Sequence, residues 1–328
     1  MKTAQITSLL HSRGFALAVS FVVLVCAVAY RFFIPEGVQV SETGLVLPPA
    51  GDWTSSPWVS FVCALAGSAA TIVIVLLLNK VHNVMRAITY IFVPFFLAMQ
   101  LATPEIMTRL SSGVMLAVVV PLCMYLLFNC YRDPSATRQV FLISFLLSAF
   151  TATQYCYAFY IPAMLIGCAQ MRIFNRRTLA AALMGALTPW ILLFGSGIVR
   201  PEDISIPQFT SILAEIDLEE TLMLFVIAGF TVLCMLVCYT LSVFKTIAYN
   251  ARARAVNGAF TVVMLTTLVA MCADARNLVA YIPMLNFCAA MEITHYFSTH
   301  RAEKSFIAII SILAVYAALF ACQIVISE

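Results

Sequence analysis

The stretch QVFLISFLLSAFTATQYCYAFYIPAMLIGCAQM, Gln139–Met171, runs for 33 residues without a charged side chain. A helix that crosses a bilayer takes about 20 residues at 1.5 Å each, so this stretch is too long for one upright helix and short for two full ones. It predicts a tight hairpin of short helices. Thr151, Thr153 and Gln154 mark its turn, where polar side chains can satisfy the backbone groups freed as the chain reverses. Val256–Met291 repeats the pattern, with Asp274 and Arg276 at the turn. Around these hairpins, Gly14–Phe33, Pro57–Leu78, Ala87–Ala102, Gly113–Tyr131, Leu179–Ile198, Thr221–Phe244 and Phe306–Ile326 each read as one crossing. The total is about eleven.

The composition sets the class independently. Of 328 residues, 63% are hydrophobic and 10% charged, against about 45–50% and about 25% in soluble domains. A water-soluble fold would have to expose much of that apolar surface, whereas lipid removes the difficulty. Barrel strands would alternate in and out over about ten residues; these runs are longer and do not alternate. The expected fold is an all-α integral membrane bundle of about eleven transmembrane helices, with two short hairpins and an outer interfacial helix, forming one domain over residues 1–328. The 11 cysteines fall in or beside apolar runs and read as small packed side chains. Cys234 and Cys238 share a helix face but have no second group at metal-ligand spacing, and neither metal nor cofactor is expected.

Charge gives direction. With the N-terminus inside, 14 of 18 basic residues fall on the cytoplasmic side, leaving Arg31, Arg109, Arg200 and Arg276 outside with most of the 15 acidic residues. That asymmetry satisfies the positive-inside rule and places the C-terminus across the membrane, in the periplasm of a bacterial inner membrane. The net charge of +3 conceals it. The basic face suits anionic lipids, and no aromatic-interleaved basic tract points to nucleic acid. Lys2 and Arg13 give the first span a signal-like start, but a run reaching Phe33 is longer than the usual signal core and predicts an uncleaved anchor.

Two outer segments, Pro35–Ser56 and Arg200–Glu220, are long enough to fold. In the second, Phe209, Ile212, Leu213 and Ile216 recur at helical spacing after a Ser205–Gln208 capping pattern, which predicts a helix lying on the surface. The chain also echoes itself. Leu122-Cys123-Met124 returns as Leu233-Cys234-Met235, and Tyr160-Ile161-Pro162 as Tyr281-Ile282-Pro283, in what would be parallel repeats over 113–175 and 221–297; chance similarity in an apolar alphabet gives the same echo.

Candidate chemistry gathers on the outer face. Arg276, with Arg31 and Arg109, could clamp a phosphate or carboxylate through its planar fork; pairing with Asp274 or snorkelling to headgroups is the bland alternative. Glu36, Glu105 and Asp274 are the carboxylates available as a base, unless they are simply solvated. Glu292 and His295 lie one turn apart as a single E-x-x-H, less than a di-metal bundle needs. Phosphate-loop, serine-elbow, HExxH and CxxC motifs are absent from the sequence.

The start Ile6–Gly14, the hairpin with Tyr160-Ile161-Pro162 and the basic stretch Arg172–Arg177 resemble a family of bacterial polytopic inner-membrane proteins with no established activity; the likeness covers most of the chain. Locally, Arg276-Asn277-Leu278-Val279-Ala280-Tyr281-Ile282-Pro283 is similar to the arginine, aromatic and proline stretch of membrane glycosyltransferases that use polyprenyl-linked sugars. That second likeness implies an acidic catalytic residue in the first outer loop, where Glu36, Glu42 and Asp52 are the candidates, though none sits in an acidic pair and the chain is short for the class. The functional expectation is a protein handling a lipid-linked or amphipathic anionic substrate, such as a polyprenyl-linked one, through an outward-facing cavity. A secondary transporter and a non-catalytic subunit bound to other envelope membrane proteins are the alternatives.

Overall fold

The computed structural model describes residues 9–33, 44–87, 89–197, 199–200, 202, 204–205, 218–246, 249–299 and 305–327; the side chains at 218–221, 244, 246, 276 and 326–327 fall outside that description. Twelve α-helices are described: α1 (Arg13–Phe33), α2 (Pro57–His82), α3 (Phe92–Leu101), α4 (Pro104–Met107), α5 (Ser112–Phe128), α6 (Thr137–Thr151), α7 (Tyr160–Gln170), α8 (Arg176–Gly195), α9 (Leu218–Thr246), α10 (Ala251–Ala273), α11 (Leu278–Thr299) and α12 (Ser305–Ser327). No strand occurs among the described residues. Six helices, α1, α2, α8, α9, α10 and α12, are long and apolar enough to cross a bilayer.

The faces show which solvent the bundle expects. Leu183, Leu187 and Ile191 on α8, and Leu233, Val237 and Leu241 on α9, are exposed at four-residue spacing. Such stripes would be unfavourable in water and are ordinary against acyl chains. Between helices, small residues allow close approach. A Cβ on Gly185 would meet the Phe141 carbonyl oxygen at 2.4 Å, and one on Gly113 would meet the Ala280 carbonyl oxygen at 2.7 Å. Both neighbours are backbone atoms that cannot swing away. Gly113→Val is therefore expected to part α5 from α11 and sharply reduce folded yield in detergent, measured by size-exclusion chromatography, while Gly195→Val, with open space around it, leaves the yield unchanged.

At the centre lies α11, which packs against α3, α5, α9 and α10. From Ala280 to Thr294 every side chain on it is buried. Polar crosslinks join the surrounding helices: the Thr71 hydroxyl donates to the Ala117 carbonyl at 3.0 Å between α2 and α5, the Trp190 indole donates to Ser148 at 3.0 Å between α8 and α6, and Thr231 and Tyr316 share a bond of 2.9 Å between α9 and α12. Within a bilayer such groups have few other partners, which makes them register pins.

The hairpin expected from Gln139–Met171 is present as α6 and α7, joined through a 3-10 turn at Tyr155–Phe159. Two expectations need correction. Among the described residues, Ala87–Ala102 is helical only over the ten residues of α3, because Pro104 begins a new short helix and Val84–Ala87 and Thr89–Ile91, which lead into α3, are non-helical. The segment tolerates this because nine of its ten residues are buried in protein rather than facing lipid. The second hairpin turns at Asp274 and Arg276 as expected, yet its arms are not short: α10 starts at Ala251, capped by Asn250, whose side chain accepts from the Ala253 N–H at 2.9 Å, and α11 continues to Thr299. Charged residues in the first turns of α10 hid its true beginning. The surface helix expected around 205–216 lies outside the described residues beyond Ser205, whose N–H donates to the Leu45 carbonyl at 2.9 Å.

Hydrogen bonds and ring contacts sort the helix ends into two groups. At one end His11 meets Thr89 at 2.9 Å, Arg252 meets His82 at 3.3 Å, the Arg132 N–H donates to the Met171 carbonyl at 3.0 Å, and Arg86 lies 4.1 Å over the Tyr249 ring. At the other end the Val46 N–H donates to the Ala152 carbonyl at 3.0 Å, the Leu110 N–H to Ser60 at 2.9 Å, and the Tyr157 hydroxyl to the Ser112 carbonyl at 2.9 Å. The first is the basic end, the second the end of the hairpin turns.

Candidate functional site

Two polar constellations interrupt the apolar interior, one near each end of α11. At the turn end Asp274 is fully buried between α10 and α11. Its carboxylate accepts from the Tyr155 hydroxyl at 2.7 Å, from Tyr281 at 3.1 Å and from the Asn277 amide at 3.0 and 3.2 Å; Asn277 also donates to the Tyr155 hydroxyl. These partners come from both hairpins, so the carboxylate ties the two turns together. All of them are neutral. A carboxylate enclosed by fixed donors in a buried site is held by charge-assisted hydrogen bonds. Beside this knot, Ser112 donates to Gln154 at 3.3 Å, and Gln154, itself fully buried, keeps its Nε2 without a partner among the described residues.

Halfway along α11, the Asn286 amide donates to Gln100 of α3 at 3.4 Å. Closer to the basic end, α11 carries Glu292 and His295 at 5% and 9% exposure. Both line a cavity of about 330 Å³ enclosed by the ends of α7, α9, α10 and α11 and by Val84 and Met85. The wall is chiefly apolar, including Phe260, Val262 and Met291, with Gln170, Ser242 and Asn257 as polar points and Arg254 at the rim. An adjoining space of about 320 Å³ shares Gln170, Arg254 and Gly258 and adds Arg172. Together they make a cleft with arginines at its mouth and a carboxyl group in its depth.

No hydrogen bond to Glu292 occurs among the described residues. Its neighbours in electrostatic range are Cys238 and Cys288. Gln170 likewise leaves its Oε1 without a partner among the described residues, and that oxygen lies 2.7 Å from where a Cβ on Gly258 would sit. Glycine at 258 thus makes room for the amide in the cleft wall. Gly258→Ala is expected to push Gln170 into the cleft and narrow it without unfolding the bundle, because the obstacle is the end of a flexible side chain; the check is lost ligand protection at an unchanged melting temperature.

Backbone conformation adds a further sign at this end. Arg86, Arg132 and Arg172 all have φ of 60°, where a side chain costs about 1 kcal/mol and glycine costs none. What these positions gain from arginine is its side chain.

The residues expected from sequence are distributed as follows. Arg31 lies in the last turn of α1, which packs against α4, and Arg109 follows Thr108, the residue that caps the end of α4. Glu105 lies in the first turn of α4, half-buried. Arg276 belongs to the 3-10 turn Ala275–Asn277, its side chain outside the described residues, as are Glu36 and Glu42 altogether. Asp52 is exposed. The Arg276–Pro283 stretch contributes Tyr281 and Asn277 to the Asp274 knot, a role not anticipated for it. Sequence reading gave little weight to Glu292 and His295 and passed over Gln100, Gln170, Arg254 and Asn286. The available signal was position, since polar residues inside an apolar span of α11 have to face protein or a cavity. No family model matches the chain, and neither does any curated protein or solved structure.

Proposed function

We propose that this protein is a multi-pass carrier that binds an amphipathic anion in the cleft at its basic end. The observation that carries the reading is Glu292: a carboxyl group 95% buried in the central helix, without a hydrogen bond among the described residues, and facing a cavity rimmed by Arg254 and Arg172. Acids inside membrane bundles are costly and mark substrate or ion paths. The apolar wall suits a hydrocarbon portion, and exposed arginines suit a phosphate or carboxylate. The exterior stripes and reversing helix directions support about eleven crossings, α3 with α4 counting as one. Basic residues at one end favour that end as cytoplasmic in a bacterial inner membrane. The ligand site is thus put on the face opposite the outer arginines.

A carrier is favoured over an enzyme by the repeat. The 113–175 and 221–297 units each run helix, helix, 3-10 turn, helix, with Tyr-Ile-Pro at the start of the last element, and parallel repeats around a central site are a transporter architecture. The test uses dodecyl phosphate, a single-tailed anion, against dodecanol, in detergent. Dodecyl phosphate should raise the melting temperature of the full chain, dodecanol should not, and Arg172→Ala with Arg254→Ala should abolish the shift. An undiminished shift in that double variant contradicts the proposal.

A further inference from the structure

The charges in the cleft are arranged in depth, not merely present. Arg254 and Arg172 are exposed at the mouth, whereas Glu292 is buried at the base and the Oε1 of Gln170, without a partner among the described residues, lies between. An anion alone would satisfy the mouth and leave the Gln170 oxygen without a donor and the Glu292 carboxyl without an opposite charge. Burying acceptors without donors is unfavourable, and a site built that way rejects ligands lacking the donor. The titratable groups around Glu292 do not supply one among the described residues: Cys238 and Tyr239 on α9, Cys288 and His295 on α11, and Arg254 on α10 surround it, and none is described as hydrogen-bonded to it. His295 instead shares a contact of 3.4 Å with the Tyr249 hydroxyl.

Resting on the reading of the cleft as an anion site, we propose that its ligand is a zwitterionic amphiphile, whose ammonium group enters first and donates to Glu292 and Gln170 while its phosphate or carboxylate stays at Arg254 and Arg172. The volume agrees: about 330 Å³ lies at the low end of small-ligand sites, enough for a headgroup with part of one chain and not for a whole two-chain lipid. A primary ammonium offers three N–H donors, enough for the Glu292 carboxylate and the Gln170 oxygen together. A quaternary ammonium offers none.

The experiment measures Kd for the full-length protein in detergent with three probes that share one acyl chain and one phosphate: lysophosphatidylethanolamine, lysophosphatidylcholine and lysophosphatidylglycerol. The ethanolamine probe is expected to bind at least about tenfold tighter than the other two, the scale of one charge-assisted hydrogen bond. Glu292→Gln keeps the side-chain shape but removes the charge, and should bring the ethanolamine and glycerol probes to within about twofold of each other. Retained binding of the glycerol probe shows that this variant is folded. Equal affinities for all three probes in the wild type, or an ethanolamine preference that survives in Glu292→Gln, would overturn the zwitterion proposal and leave the anion site standing. Binding of all three that persists in Arg172→Ala with Arg254→Ala would overturn the anion site itself.

Discussion

Replacing Asp274 with alanine is expected to destabilise the protein by about 4 kcal/mol, because it removes a buried acceptor from three donors at once and leaves Tyr155, Tyr281 and Asn277 facing one another. Each bond to the carboxylate is from a neutral group at 2.7 to 3.2 Å. Asp274→Asn keeps the volume and one acceptor oxygen, and should cost less than half as much. The loss should concentrate at the turn end. Amide exchange in detergent would show α6–α7 and α10–α11 losing protection together at their turns, since the carboxylate is their shared tie. An unchanged melting temperature in Asp274→Ala would mean that the knot holds nothing.

The second large effect is opposite in sign. Glu292 is buried to a similar degree, yet no hydrogen bond among the described residues holds it. Glu292→Leu should therefore be neutral or stabilise by about 1–2 kcal/mol, as apolar replacement of buried ionisable groups often does, while bringing the ethanolamine probe down to the affinity of the glycerol probe. A rise in melting temperature with loss of the ethanolamine preference is the signature of a residue kept for function at a cost in stability. A fall in melting temperature comparable to that of Asp274→Ala would make Glu292 a structural group instead.

These two carboxyl groups show how far sequence reading reaches. The helical class, both hairpins and the turn positions were legible, because a bilayer imposes a length and a polarity on each span that a single sequence displays directly. The ten-residue α3 was not, since Phe92–Leu101 is as apolar as a lipid-facing helix and only its tertiary burial distinguishes it. The reach of α10 back to Ala251 was obscured for the opposite reason: Arg252 and Arg254 look like loop residues until the Asn250 cap and the cleft account for them. For the candidate site, Asp274 stood out because it lies at a turn, but its partners Tyr155 and Tyr281 are 119 and 7 residues away. Pairings across such separations leave no local pattern. Glu292 was visible as one acid in a long apolar run; that it borders a space rather than a partner depends on Gln170, Tyr239 and Arg254, which three other helices bring to it.

The most direct test of the cleft is a density map of the protein in a nanodisc of phosphatidylethanolamine and phosphatidylglycerol. Lipid headgroup density enclosed between Gln170, Arg254 and Glu292, with an acyl chain along Phe260 and Met291, is the predicted result. A cleft filled by its own side chains, with headgroup density gathered instead around Arg31, Arg109 and Arg276 at the opposite end, would contradict it.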